Sequence, residues 1–256
     1  MSTQLFSLDG RLALVTGSSR GIGNALARGL AQAGADVVLH GRDAQLLAAE
    51  QADIASATGR TVHTVVFDVT DRAAVAQALE TLMGEVGVPD VLVNNAGVQH
   101  RAPFGEFPGE EWDRVVTTNL SSAFYVSQPV TRRMAERRSG KVVNIGSVQS
   151  MLARRTIAPY AASKGGLVML TKGMAADLAQ YDIQVNAISP GYFASEMNRA
   201  LWEDPEFDAW VKGRTPAARW GHVDELVGAL VFLSSAASQF VSGQNIFVDG
   251  GMTSVV

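Results

Sequence analysis

Short apolar, β-branched runs recur along the chain, and between them polar and apolar residues follow a helical period. The runs predict strands over Arg11–Thr16, Asp36–His40, Thr61–Phe67, Asp90–Val93, Lys141–Gly146, Gln184–Ile188 and Asn245–Val248. The stretches between them predict helices over Gly21–Ala33, Asp43–Thr58, Asp71–Glu85, Gly109–Arg137, Pro159–Gln180 and His222–Ala236. Asp43 and Asp71 stand where helix N-caps belong, and Gly34 where a helix ends. Alternation of this kind predicts an α/β fold: a Rossmann-type doubly wound parallel sheet of about seven strands, with helices on both faces. No linker, repeat or shift of composition divides residues 1–256, so one domain is expected. One stretch breaks the rhythm. From Pro190 to Gly221, Pro205, Pro216 and three tryptophans follow a strand end without a clear period, which marks a substrate lid at 190–221.

Composition narrows the choice of partners. With 47% hydrophobic and 18% charged residues, the chain is long enough for one large core. A net charge of −4 and a pI of about 5.6 give no electrostatic footprint for nucleic acid. An anionic substrate must then be held by a local cluster of Arg or Lys. The absence of cysteine excludes disulfides, thiolate metal sites and cysteine nucleophiles, and no metal is expected. Met1-Ser2-Thr3-Gln4-Leu5-Phe6 has neither a charged n-region nor an apolar h-region. No apolar run approaches the roughly 18 residues of a membrane helix. The expectation is a soluble, cytoplasmic protein with neither nucleic-acid nor membrane partners.

The first predicted strand runs directly into Gly17-Ser18-Ser19-Arg20-Gly21-Ile22-Gly23 and then into a helix. Strand, glycine turn and helix start bring backbone N–H groups and the positive helix end to where a pyrophosphate can sit. The spacing is G-x-x-x-G-x-G, not the commoner G-x-G-x-x-G. Cofactor choice is written where the second strand ends. There the chain offers Gly41 and Arg42 and no carboxylate at the strand end, and Arg20 in the glycine turn can reach the same place. Two guanidinium groups suit the 2′-phosphate of NADP(H) and do nothing for a bare hydroxyl. Asp43 is the rival ribose ligand, but it also reads as the cap of the next helix.

Tyr160-Ala161-Ala162-Ser163-Lys164 puts a phenol and an ammonium on one helical face, with Ser147 at the preceding strand end. A neighbouring cation is expected to depress the phenol below its usual value of about 10 and so fit it for acid–base work. Such a pair is common by itself. Here it stands in series with Thr16-Gly17-x-x-x-Gly21-Ile22-Gly23, Asn94-Asn95-Ala96-Gly97, Asn119, Ser147 and Pro190-Gly191.

In order and spacing these motifs resemble the short-chain dehydrogenase/reductase family over essentially the whole chain. The resemblance implies Tyr160 as general acid/base, Ser147 as the group orienting the carbonyl or alcohol, and Lys164 as the ribose ligand and phenol activator. It implies a water-mediated relay from Asn119 to Lys164. It also implies adenine contacts from Asp68 and Val69, a cofactor wall of Asn95, Ala96 and Gly97, and a nicotinamide-side loop of Pro190, Gly191 and Phe193. Ser195 stands where the family usually has threonine.

Gly97-Val98-Gln99-His100-Arg101, Ser147-Val148-Gln149-Ser150 and Ile188-Ser189-Pro190-Gly191-Tyr192-Phe193 further resemble the family's gluconate 5-dehydrogenase group. So does Arg214–Gly221. This second resemblance implies a sugar-acid substrate, D-gluconate or 5-keto-D-gluconate. Arg101, Gln149 and Arg154, together with Ser147 and Tyr160, are its expected contacts, and Arg155 reads as a solvated surface residue. A 3-oxoacyl-carrier-protein reductase would share the catalytic residues but need exposed basic residues for an acidic carrier. The run Arg132, Arg133, Arg137, Arg138 is the candidate, although cations are natural at a helix end. A non-catalytic, cofactor-sensing relative would have no chemical need for Asn119, Ser147, Tyr160 and Lys164 together. The resemblance implies a homotetramer, and small residues at Ala161, Ala162, Ser163, Gly165 and Gly166 permit close helix approach.

Overall fold

The structure, a computed structural model, describes residues 4–256; Met1, Ser2 and Thr3, part of the stretch read for a leader, lie outside them. Seven strands form one parallel sheet: β1 (Leu12–Val15), β2 (Asp36–Gly41), β3 (Val62–Val66), β4 (Val91–Asn94), β5 (Gly140–Ile145), β6 (Ile183–Pro190) and β7 (Asn245–Val248). Their order is β3-β2-β1-β4-β5-β6-β7. After β3 the chain crosses back over β1 to place β4 on its other side, so β1 and β4 flank the point where the winding reverses. A crevice opens there at the carboxyl ends of the strands.

Side-chain alternation along each strand sorts the core into two layers. Ala13, Val15, Val37, Leu39 and Val93 pack on one face with Leu26 and Leu30 of α1 (Gly21–Gln32) and Leu230 of α9 (Val227–Ser234). Leu14, Val38, Leu92 and Val142 face the other way, onto Val75 and Leu79 of α3 (Arg72–Glu85) and Val126, Val130 and Met134 of α5 (Ser122–Arg137). Each such side chain contributes roughly 1.5–3 kcal/mol on leaving water. Asp43 caps α2 (Ala44–Thr58) by accepting from the N–H groups of Gln45 and Leu46, and Asp71 caps α3 in the same way. No helix among the described residues is long and apolar enough to cross a membrane.

Two segments differ from the sequence expectation. Gly109–Arg137 is not one regular helix: α4 (Gly109–Val116) passes through a π-helical turn, Thr117–Ser121, into α5. The wider turn inserts a residue and carries Asn119 to the buried side, as π-turns at functional sites commonly do. The 191–221 segment is not irregular throughout. It holds α7 (Arg199–Trp202) and α8 (Pro205–Arg214), the latter capped by Asp204 with Pro205 in its first turn.

Candidate active site

The glycine turn is shaped by close approach. Gly17 and Gly21 have φ of +63° and +59°, where side chains are strained. A Cβ on Gly17 would lie 3.0 Å from the Ala96 Cα, and one on Gly23 would strike the Gly17 carbonyl and the Asn95 amide. Asn95 stitches the turn to β4, its Nδ2 donating to the carbonyls of Thr16 (2.9 Å) and Gly17 (3.1 Å). The Thr16 hydroxyl accepts from the N–H groups of Asn95 (2.9 Å) and Ala96 (3.1 Å). His40 closes the turn from the β2 side. Its Nδ1 accepts from Gly17 N–H at 3.0 Å and its Nε2 donates to the Phe67 carbonyl at 3.1 Å. Burial holds this imidazole neutral, lowering its pKa to about 4.

The cleft-facing groups around this turn remain open. Gly41 lies against Ser19, so Arg42 and Arg20 flank one opening with side chains about three-quarters exposed, 77% and 74%. Among the described residues each has one long ion pair, Arg42 with Asp68 at 3.6 Å and Arg20 with Glu196 at 4.0 Å. Exposed pairs of this kind are worth about 0–1 kcal/mol and yield readily to a phosphate. Asp68 accepts from the Thr70 N–H and hydroxyl, which chiefly hold its pKa below the ordinary value, and Val69 is buried beside it. These features fit a dinucleotide with a 2′-phosphate: a pyrophosphate cradle that a Cβ would obstruct, and two cations beside the ribose end. Ile22 is half-buried at the start of α1. Gly191 packs against Asp249, and Ser195 lies half-buried in the loop that follows. The Phe193 ring is buried against Gly221, so its nicotinamide contact must come from backbone.

Beyond β5 and on α6 (Ala158–Leu178) the catalytic candidates converge. Ser147 and Tyr160 lie side by side, and Lys164 Nζ stands 5.8 Å from the Tyr160 ring centroid. Lys164 is buried and donates to the Ile145 carbonyl at 2.6 Å. Asn119 accepts from Val98 N–H (2.8 Å) and donates to the Val98 carbonyl (3.0 Å) and Ser163 Oγ (3.1 Å), bracing the loop after β4. A Cβ on Gly97 would sit 3.4 Å from Asn119 Oδ1 and 3.8 Å from Lys164 Nζ, so glycine there keeps the space above the lysine clear.

The electrostatics reverse one expectation. Burial pushes the Tyr160 phenol up, not down; the Ser147 hydroxyl beside it pulls downward and Tyr192 adds to the rise. Lys164 is itself displaced by burial, to about 8. Both groups lose water on folding, and the ammonium points its short hydrogen bond at a carbonyl, so desolvation outweighs the expected charge effect.

On the substrate side the structure brings together Arg101, Gln149 and Arg154, and adds Tyr192. Arg154 lies close enough to disfavour the charge of Arg101, and both guanidiniums are near enough to act on the Tyr192 phenol, as that phenol is to act on the catalytic tyrosine. A main-chain hydrogen bond, Ala102 N–H to the Thr156 carbonyl at 3.2 Å, ties their two loops together. Thr156 holds φ at +71°, a strained value for a β-branched residue. Gln149 is 8% exposed, yet its Oε1 has no hydrogen-bond partner among the described residues, and neither has Arg154 Nε. Three of these contributors escape sequence reading. His40 looks like an ordinary strand residue, Thr156 carries no local turn signal, and Tyr192 is one more aromatic in a segment full of them. Only the Gly41 opening hints that the residue before it has another duty.

Residues 17–253 match the family model described as enoyl-(acyl carrier protein) reductase. The chain is 54% identical over 249 residues to the gluconate 5-dehydrogenase of Gluconobacter oxydans (strain 621H), covering 97% of both chains. It is 52% identical over 252 residues to the 5-keto-D-gluconate 5-reductase of Escherichia coli (strain K12), again 97% of each. Among solved structures it is similar to a gluconate 5-dehydrogenase from Burkholderia cenocepacia J2315 in complex with NADP and tartrate. There the TM-score is 0.98 at 52% identity, with both chains covered completely. Similarity of this extent, on a seven-stranded parallel sheet carrying this constellation, shows that the chain belongs to the short-chain dehydrogenase/reductase family of oxidoreductases.

Proposed function

We propose that the protein is an NADP(H)-dependent enzyme interconverting 5-keto-D-gluconate and D-gluconate. One observation carries the substrate class. Among the described residues, Arg101 and Arg154 have no carboxylate within ion-pair distance, and they stand, with the unpartnered Gln149 Oε1, around Tyr192, whose phenol is near enough to act on the catalytic tyrosine. Two unpaired guanidiniums want an anion and a lone buried amide oxygen wants a donor, so a hydroxy acid supplies both. Relatives at 52–54% identity carry the matching names. Arg42 and Arg20 support the choice of NADP(H).

When bound, the dinucleotide supplies the hydride and receives it back in the reverse direction. Ser147 holds the C5 oxygen of the substrate, and Tyr160 gives that oxygen the proton that completes the alcohol. Lys164 fixes the ribose and, through Asn119, connects the phenol to solvent for reprotonation. Arg101 and Arg154 hold the carboxylate and Gln149 accepts from a substrate hydroxyl.

A carrier-protein reductase is the weaker reading because three of the four arginines in its candidate docking run are already engaged. Arg137 donates to the carbonyls of Val88, Pro89 and Ser139 and pairs with Asp90 at 3.1 Å, Arg138 donates to the Gln180 carbonyl, and Arg133 pairs with Glu136. A homotetramer working in the cytoplasm is part of the proposal. Ser163 and Gly166, expected at a helix–helix contact, turn inward onto Asn119 and Leu120. The outward face of α6 offers Ala162, Met169 and Gly173, with Phe124 exposed on α5.

The decisive measurement compares oxidation of NADPH and NADH with 5-keto-D-gluconate and with an acetoacetyl thioester. Turnover of the keto acid with NADPH is expected to dominate. Tyr160→Phe should lose roughly a hundred- to ten-thousandfold in rate while still binding NADPH. Preference for the thioester or for NADH would overturn the assignment.

A further inference from the structure

The segment 191–221 is joined to the substrate site through one side chain. Tyr192 sends its phenol toward Arg154, Arg101 and Gln149, while its ring packs edge-on against Phe207, Trp210 and Trp220 at centroid distances of 5.7, 5.7 and 5.6 Å. Arg154 reaches the same cluster from the other side, its guanidinium carbon 5.0 Å from the Phe207 ring centroid. Trp220 is anchored in turn by its indole N–H, which donates to Asp208 of α8 at 2.9 Å. The polar end of this arrangement is incomplete. Gln149 Oε1 and Arg154 Nε are buried and have no partner among the described residues, and the Arg154 guanidinium disfavours the charge of Arg101 close by. The apolar end, by contrast, is well packed. Beneath the segment a cavity of about 110 Å³ is lined by Tyr192, Phe193, Ala217 and Gly221 together with Val248 and Asp249, so the segment is not packed solidly against the end of β7.

We propose that Tyr192 is the specificity-determining residue that couples recognition of the substrate carboxylate to the setting of the α7–α8 lid. The inference rests on the hydroxy-acid reading of the site. A carboxylate entering between Arg101 and Arg154 neutralises their repulsion and accepts from the tyrosine O–H, which fixes the phenol. Fixing the phenol fixes the ring, and with it Phe207, Trp210 and Trp220. An uncharged ketone of similar size reaches Tyr160 and Ser147 but leaves Tyr192 unengaged. The site therefore favours acids over neutral sugars by more than the direct attraction of the arginines.

The lid carries its own reporters, since Trp202, Trp210 and Trp220 lie within it and only Trp112 lies elsewhere. In the NADP⁺ complex, gluconate should change tryptophan emission, and sorbitol, the uncharged probe, should not. Tyr192→Phe keeps the ring and removes the hydroxyl. It should abolish the gluconate-induced change, leave the NADP⁺-induced change in place, and raise KM for 5-keto-D-gluconate about tenfold or more at nearly constant kcat. With fructose, its kcat/KM should fall by much less than with 5-keto-D-gluconate. Equal losses on charged and uncharged ketones, or an unaltered response to gluconate, would overturn the role of Tyr192. So would a wild-type emission insensitive to both gluconate and tartrate. If the wild type does not reduce 5-keto-D-gluconate but its emission still responds to these carboxylates through Tyr192, the substrate assignment falls and the coupling stands.

Discussion

The two halves of the crevice are built on opposite principles. Around the glycine turn, every polar group that shapes the backbone has its partner within the fold: Asn95 and Thr16 across to β4, His40 across to β2, and glycines where a Cβ would collide. Around Arg101, Gln149, Arg154 and Tyr192, buried polar atoms lack partners, like charges face each other, and Thr156 is strained. The cofactor half is complete without a ligand; the substrate half becomes complete only with one. A shared dinucleotide rewards a rigid cradle. Discrimination among substrates rewards groups left unsatisfied, because a ligand lacking the matching group leaves them so.

The contrast predicts different failures. Gly23→Ala should hurt most, because its methyl meets the Gly17 carbonyl and the Asn95 amide, neither of which can retreat. We expect a stability loss of about 1–3 kcal/mol in denaturant melts. NADPH binding should weaken by up to about a hundredfold, a lost charge-assisted contact being worth up to about 3 kcal/mol. Binding that survives intact would mean that the cradle is softer than described.

Arg101→Ala probes the other half. With no carboxylate partner to abandon, and with Arg154 relieved of a like charge, the variant should melt no lower than wild type. Its KM for 5-keto-D-gluconate should nevertheless rise about ten- to a hundredfold, and uncharged ketones should react almost as before. A loss of stability would move Arg101 into the structural class and break the comparison.

His40 gives the smallest effect, and a pH-dependent one. The folded pKa of about 4 lies below the ordinary value of about 6.5. As pH falls below about 6.5 the unfolded chain takes up a proton that the folded chain refuses. Stability is therefore lost between about pH 6.5 and 4, by about 2 kcal/mol at pH 5. His40→Asn removes the titrating group, and the difference between denaturation midpoints at about pH 7.5 and 5 should shrink accordingly. Identical pH dependence in variant and wild type would show that His40 does not bear this load.

Much of the molecule was legible from the chain. The strand positions, the caps at Asp43 and Asp71 and the glycine turn are local patterns, and the structure realises them within a residue or two. Asp204-Pro205-Glu206 also carried a helix-start signature that the apparent irregularity of 190–221 concealed. The π-turn at Asn119 left no such mark. Its flanks have ordinary helical composition, and one extra residue in a turn is invisible to periodicity.

By itself, then, the sequence determined what short-range physics can express: which segments are strands or helices, where backbone N–H groups gather for a phosphate, and that Tyr160 and Lys164 share a helical face. Tertiary structure alone decided what depends on contacts between distant residues and on lost water. It set Asn95 against Gly17, 78 residues away, and His40 beneath the same glycine. It tied the Arg101 loop to the Arg154 loop through Ala102 and Thr156, and joined Tyr192 to both. It also fixed the sign of the Tyr160 shift, because desolvation is a property of the enclosed site and not of the Tyr-x-x-x-Lys spacing.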